Sequence, residues 1–352
     1  MKKKFSALMA LSFAAAALGL AACGGGGGGG SSSTGAATPA SAPSSASAPS
    51  SASAPSSASS PSSASSPVTG TQPTPQYAAN SAQLAMFNQV NAYRQECGFP
   101  AVQENTVLDQ AAQAHAMWEG LNNQVADNET AGQQGFTGVS YLDRAVHFGF
   151  PSTGAMGWGV SANYWTTSAL SETQYGQTLV NEWIATVYHS QAILTPVTTI
   201  GIGEYETSLN GFPAVWGSMS LINTSMQQLT TSGPITFPCQ GVTGVPYKAV
   251  SENPMPPNTS GPWGTPVIVM GNATDTVVLT SGTMTDPSGN VINLQLVDSA
   301  NDPNKLTQPY SAVAFPATPL APNTTYTVNV SGTVNGTAFT RPFTFTTGNI
   351  VG

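Results

Sequence analysis

The stretch Trp183-Ile-Ala-Thr-Val-Tyr-His189-Ser-Gln-Ala-Ile-Leu194, followed by Ile200-Gly-Ile-Gly203, sets the reading of the chain. Helical periodicity places Trp183 on a core-facing side, and six residues later His189 arrives where that helix is expected to end. The apolar segment with two glycines reads as the strand that follows. An imidazole at a helix exit has two readings: a terminal cation favoured by the helix dipole, or one member of a pair with His115.

Upstream, Leu84, Phe87, Val90, Asn91, Arg94 and Cys97 recur at three- and four-residue spacing. Gly98 sits where a C-cap glycine would end that helix, and Pro100 is a stop signal. Asn105 is positioned to cap a second helix through Leu108, Ala111, Ala112, His115 and Trp118, whose alanines permit close packing. Ser140 and Asp143 have capping-box spacing and open a short helix ending before Gly149. Ser171 opens a fourth helix through Leu179, Trp183 and Ile184. Strands are expected at about residues 199–205 and 213–221. Helices come first and strands second, so residues 78–232 read as α+β, with helices packed on an antiparallel sheet.

Downstream the periodicity changes. Pro256, Pro257 and Pro262 mark residues 233–260 as a linker. From Thr265 short alternating runs follow, including Val267–Met270, Val291–Leu296 and Phe339–Phe345, with turn signals at Asp286-Pro-Ser-Gly289 and Asn335-Gly336. Residues 261–352 therefore read as an all-β sandwich. Leu320-Ala-Pro-Asn-Thr-Thr-Tyr326 resembles the tyrosine corner of Ig-like domains, in which the Tyr hydroxyl bonds to upstream backbone. No catalytic constellation shows in this part; Asp286 and Asp302 read as turn residues.

Only 7% of residues are charged and the net charge is −8, against about 25% charged in an average domain. That balance argues against nucleic acid as a partner, because phosphate neutralisation needs clustered Lys and Arg. Lys2, Lys3 and Lys4 followed by the apolar run Phe5–Leu20 form a targeting segment. Leu20-Ala-Ala-Cys23 resembles the lipobox of bacterial lipoproteins, which implies a signal peptide over residues 1–22 and lipidation at Cys23; the alternative is an ordinary secretory signal cut after Ala22. The Gly/Ser/Ala/Pro-rich residues 23–77 read as a disordered tether. The lipoprotein resemblance implies a membrane-anchored envelope protein, and Gly24 in place of Asp implies the outer membrane or cell surface. In an oxidising compartment the remaining Cys97 and Cys239 are expected to pair, the alternative being two separate buried thiols.

With Asn91-Ala-Tyr-Arg94, Gly98-Phe-Pro100, Leu108…Ala111-Ala112-Gln-Ala-His115 and Trp183…His189…Ile193-Leu194 in hand, residues 78–220 resemble the CAP superfamily. This SCP-like family includes cysteine-rich secretory proteins, antigen 5 and plant PR-1. The resemblance implies an α-β-α sandwich with a cleft lined by two histidines, here His115 and His189. With a carboxylate, two neutral imidazoles can hold Zn²⁺ or another divalent metal. The sequence departs from the bacterial pattern at Thr186, Val187, Ser190 and Ala192. It also lacks the Glu of the family's G-E-N-I segment, where Met156-Gly-Trp158-Gly stands instead. Glu119, one turn beyond His115, and Glu172 and Glu182 are candidate substitutes, and Trp158 is a candidate cleft residue. His147, near a helix end, reads as structural.

The function expected from this reading is non-catalytic: an exported, anchored CAP-domain protein whose cleft binds a lipid-like or other small molecule, or a protein partner. The alternatives are a metal-assisted hydrolase or protease using His115 and His189, and adhesion through the Ig-like part. Globomycin-sensitive processing and palmitate labelling that disappear in Cys23→Ser are the expected signature of the anchor; an unlabelled wild-type chain would refute it.

Overall fold

Four side chains start the first four helices. The Oγ of Ser81 accepts from the Leu84 amide at α1 (Ala82–Glu96), and Asn105 accepts from the Val107 and Leu108 amides at α2 (Thr106–Asn122). Reciprocal capping boxes open α3 (Tyr141–His147) at Ser140/Asp143 and α4 (Glu172–Ala185) at Ser171/Gln174. This computed structural model describes residues 68–231 and 233–352. The signal segment, Cys23 and the tether up to residue 67 lie outside the described residues.

The helices sandwich a four-stranded sheet of order β1-β3-β4-β2, comprising β1 (Gln103–Glu104), β2 (Gly159–Trp165), β3 (Thr199–Leu209) and β4 (Phe212–Ser220). A two-residue turn at Asn210-Gly211, both with positive φ, joins β3 to β4. Alternation along β3 builds two layers. Ile200 and Ile202 enter the core shared with α1 and α4, while Gly201 and Gly203 lie against α2. A Cβ on Gly201 would come within 2.0 Å of the Leu108 backbone, and one on Gly203 within 2.1 Å of the Gln113 amide. The glycines are thus the condition for α2 to lie directly on the sheet.

The helix carrying Trp183 does not run on to His189. It stops at Thr186, whose extended backbone (φ −95°, ψ 161°) separates α4 from α5 (Val187–Leu194). His189 is therefore in the first turn of a new helix, not at a helix exit, and the C-terminal dipole reading is overturned. Trp183 is fully buried as expected. The first histidine-bearing helix, α2, is as expected, with His115 fully buried on it.

Residues 235–347 form two further sheets. One has the order β10-β11-β7-β5 and the other β6-β13-β12-β8-β9. The strands are β5 (Ile235–Phe237), β6 (Thr243–Val245), β7 (Val267–Met270), β8 (Val277–Thr285), β9 (Val291–Asn293), β10 (Gln295–Asp298), β11 (Ser311–Phe315), β12 (Thr325–Val334) and β13 (Thr337–Thr347). The Ala321 amide donates to the Tyr326 hydroxyl oxygen at 2.9 Å, the bond that the tyrosine-corner spacing implies. Two boundaries differ from the sequence reading. Residues 233–260 contain β5 and β6, one in each sheet, because Ile235, Phe237, Val242 and Val245 are buried there. Residues 68–77, read as the end of the tether, dock on the fold: Thr71 bridges Asn105, and the Tyr77 hydroxyl donates to Asp109 at 2.6 Å.

Helix α5 is the seam between the first sheet and the later strands. The Tyr188 hydroxyl donates to Asp302 at 2.8 Å, and the Ser311 hydroxyl donates to Gln191 at 2.7 Å. A second tie is covalent: Cys97, just past α1, is bonded to Cys239, which follows β5, across a sequence separation of 142. The cross-link restricts the unfolded chain, so Cys97→Ser/Cys239→Ser is expected to lose about 5 kcal/mol of unfolding free energy in the chain-entropy account. Guanidinium titration of the oxidised protein and the double variant measures this; coincident curves would contradict it.

Candidate functional site

Helix α5 starts without a side-chain cap from its own N-cap residue, since Thr186 makes no such bond. Glu252 supplies it. Its carboxylate accepts the amides of Val187, Tyr188 and His189 at 2.8–2.9 Å. The same Oε1 lies 3.2 Å from Nδ1 of His189. Nδ1 also hydrogen-bonds the Thr186 hydroxyl oxygen at 3.2 Å, and that hydroxyl spends its own proton on the Trp183 carbonyl; both neighbours of Nδ1 are therefore acceptors, which holds the proton there and leaves Nε2 as the basic ring nitrogen. Burial pushes the Glu252 carboxyl up to about 7 against the lowering effect of the three amides, and burial lowers the His189 imidazole to about 4. At neutral pH His189 is therefore an uncharged, oriented imidazole.

Two hollows meet at His189, whose side chain is 23% exposed. The first, a cavity of about 400 Å³, lies between the CAP-like sheet and the later strands. Tyr141, Leu142, Trp158 and Val160 line one side, and Leu306 and Tyr310 the other. Asp127 and Lys305 are its charged groups. The second is a groove of about 870 Å³ that runs along β2 and is bordered by Glu182 of α4. Glu182 is half-buried, and burial pushes its carboxyl up to about 8.

His115 lines neither hollow. It is 0% exposed and packs edge-on against Tyr141, with ring centroids 5.2 Å apart, so the cavity-lining tyrosine covers it. Its Nδ1 lies 3.1 Å from Oε1 of Glu129, whose Oε2 accepts the amides of Thr137 and Gly138. These donors hold Glu129 below the usual carboxylate range against its own desolvation, while burial lowers His115 to about 4. Nε2 of His115 is 3.6 Å from Glu119, which accepts from the Ser161 hydroxyl at 2.7 Å and the Ala126 amide at 3.0 Å. Burial drives the Glu119 carboxyl well above its ordinary value, against the lowering effect of the Ser161 and Ala126 donors. Arg144 completes the cluster by donating to the carbonyls of Asp127, Gly138 and Val139. Together these bonds pin residues 126–139 against α2.

The expected pair is therefore split between two carboxyl clusters. His115 and Glu119 belong to a sealed one, and His189 to an open one, with Trp158 on the cavity wall and Glu182 on the groove. Each imidazole already has a carboxylate on Nδ1, and among the described residues no three His, Cys, Asp or Glu side chains converge to hold a metal ion. The donor set does not fit Zn²⁺ shared between His115 and His189. His147, at the end of α3, is exposed. Asp286 closes a local turn through the amides of Ser288 and Asn290. Asp302 also closes a turn and, in addition, holds Tyr188.

Two decisive acids escaped the sequence reading. Glu129 lies in a loop, beyond the end of α2 at Asn122, where the periodicity of that helix no longer applies. Glu252 lies beyond the family-like region, in a stretch that reads as linker. Burial of neutral His115 makes stability depend on pH: the folded pKa is below the unfolded one, so its contribution is full above about 6.5 and is lost as pH falls toward about 4. Denaturant titrations from pH 7 to 4 should show a shallower acid loss for His115→Gln than for the wild type, by up to about 3 kcal/mol across the window; parallel profiles would contradict it. No curated protein matches the chain. Residues 87–218 match the model of the CAP, cysteine-rich secretory protein family, which supports a CAP domain over that span.

Proposed function

We propose that the chain is an exported binding protein, anchored at Cys23, whose CAP domain and Ig-like C-terminal part together enclose an amphipathic, lipid-like ligand in the cavity beside His189. The observation that carries this reading is the lining of that cavity. Its accessible surface is more apolar than polar although half of its lining residues carry polar side chains, it draws walls from both halves of the fold, and it falls in the size range of small-molecule sites. Lys305 and the neutral His189 offer a polar end to a ligand whose apolar body lies against Trp158 and Leu306. The family resemblance points the same way, toward extracellular-type ligand binding rather than a fixed chemistry.

A second reading, hydrolysis, draws on the Glu252–His189 pair, because a carboxylate-oriented imidazole with a free Nε2 is the arrangement of a general base. It would use His189 alone, with His115 behind Tyr141. Fluorescence titration with cis-parinaric acid separates the readings. The wild type is expected to bind the probe, and Trp158→Ala to weaken binding roughly tenfold through the loss of one aromatic wall. Equal affinity of the two proteins would refute the cavity as the site. Turnover of p-nitrophenyl butyrate that vanishes in His189→Ala would replace binding with hydrolysis.

A further inference from the structure

Strand β2 is an edge strand, bonded only to β4 within its sheet. Its hydrogen-bond phase follows from two bonds at its ends: the Leu221 amide donates to the Trp158 carbonyl at 2.8 Å, and the Thr166 amide to the Pro213 carbonyl at 3.0 Å. Even-numbered residues of β2 therefore direct their amides and carbonyls at β4, and the odd-numbered Ser161, Asn163 and Trp165 direct theirs outward. Among the described residues no other backbone group pairs with these three. All three line the groove of about 870 Å³.

Natural edge strands are normally blunted by Lys, Pro, a bulge or a covering element. Residues 159–165 carry no charged side chain and no proline, and their pairing with β4 runs without a bulge. At the far end Trp165 is 51% exposed and stands beside Phe212, 40% exposed, with ring centroids 5.4 Å apart. Ser161 is buried, whereas Asn163 is half-buried and Trp165 exposed, so the edge is open over its C-terminal half, polar in its backbone there and apolar at its tip.

The charge of the groove narrows the occupant. No Lys or Arg lines it. Of its two side-chain carboxyls, Glu252 is spent on α5 and His189, whereas Glu182 has no hydrogen bond or ion pair among the described residues. Burial without a cation is also why that carboxyl is pushed up to about 8.

We infer that the groove is a second binding site, for an extended peptide segment of a partner protein, which adds as a strand to β2 at Asn163 and Trp165 and places a Lys or Arg side chain on Glu182. The backbone bonds give affinity for any extended chain, and Glu182 gives the preference for a cationic residue at one position. This site is distinct from the cavity of the proposed function and shares only His189 and Asn253 with it.

The test uses the full-length chain and the peptide acetyl-Thr-Val-Lys-Val-Thr-amide, titrated calorimetrically. Asn163→Pro removes one outward amide while leaving the β4 pairing intact, since proline is tolerated where an edge N–H faces away from the sheet. Asn163→Pro in the protein, or N-methylation of the peptide at alternate residues, is expected to weaken binding at least tenfold. Glu182→Gln, which preserves the backbone edge, is expected to cost roughly tenfold for the Lys peptide and little for its norleucine analogue, the difference belonging to the charged pair. Thermal melts of both variants near that of the wild type keep folding out of the comparison. The inference fails if the wild type binds neither the Lys peptide nor its Arg counterpart. It fails equally if binding survives Asn163→Pro and N-methylation together, or if Glu182→Gln affects both peptides alike. Concentration-dependent dimerisation abolished by Asn163→Pro would overturn it in favour of edge pairing between two copies of the chain.

Discussion

Helix α5 holds the arrangement together because opposite charges close its two ends. It is eight residues long, too short to be stable alone in water. At its N-terminus the Glu252 carboxylate takes three amides, and at its C-terminus the Arg94 guanidinium donates to the carbonyls of Ile193 and Thr195 at 2.7 and 2.8 Å. Each charge has the sign that the helix dipole favours at its end. Neither comes from the helix: Arg94 belongs to α1, and Glu252 reaches in from beyond the CAP-like span. The same carboxylate that starts the helix also orients His189, so folding of the seam and preparation of the imidazole are one event.

The two hollows inherit their shapes from that seam. The cavity exists because Tyr188 and Gln191, on either side of His189 in sequence, are bonded to Asp302 and Thr307 in the β10–β11 connection and to Ser311 of β11. The groove exists because the stretch that delivers Glu252 passes alongside β2 without pairing with it. His115 serves a different purpose. With Glu129, Glu119 and Arg144 it fastens residues 126–139 to α2, and Tyr141 presents only its own ring to the cavity. A neutral imidazole is suited to that work: it donates through one nitrogen and carries no buried charge of its own.

Much of the fold was legible in the sequence because it rests on local chemistry. The caps at Asn105, Ser140 and Ser171 are side chains bonding to amides two or three residues away, so spacing suffices to find them. Gly201 and Gly203 were visible as glycines in a strand, although their purpose, contact with the α2 backbone, was not. The Asn91/Arg94 pair was recognisable as a motif; its work is to bond Val102 and the end of α5. What resisted reading was long-range or conformational. The break at Thr186 sits inside an uninterrupted helical pattern, and only the competition of Glu252 for the next three amides shows why a new helix begins there. Strand β2 carries no alternating signal, because Gly159, Val160 and Ser161 are all buried in succession.

The sequence by itself determined the main element types, the α+β order followed by strands, and the two histidines worth following, since each depends on spacing along the chain or on residue chemistry. Tertiary structure alone decided that the histidines belong to separate carboxyl clusters, that His189 opens a helix, and that residues 233–260 complete the site. The physical reason is the same in each case. A buried imidazole takes its state from the nearest carboxylate in space, and Glu129 and Glu252 stand 14 and 63 residues away along the chain, outside the helices that carry the histidines.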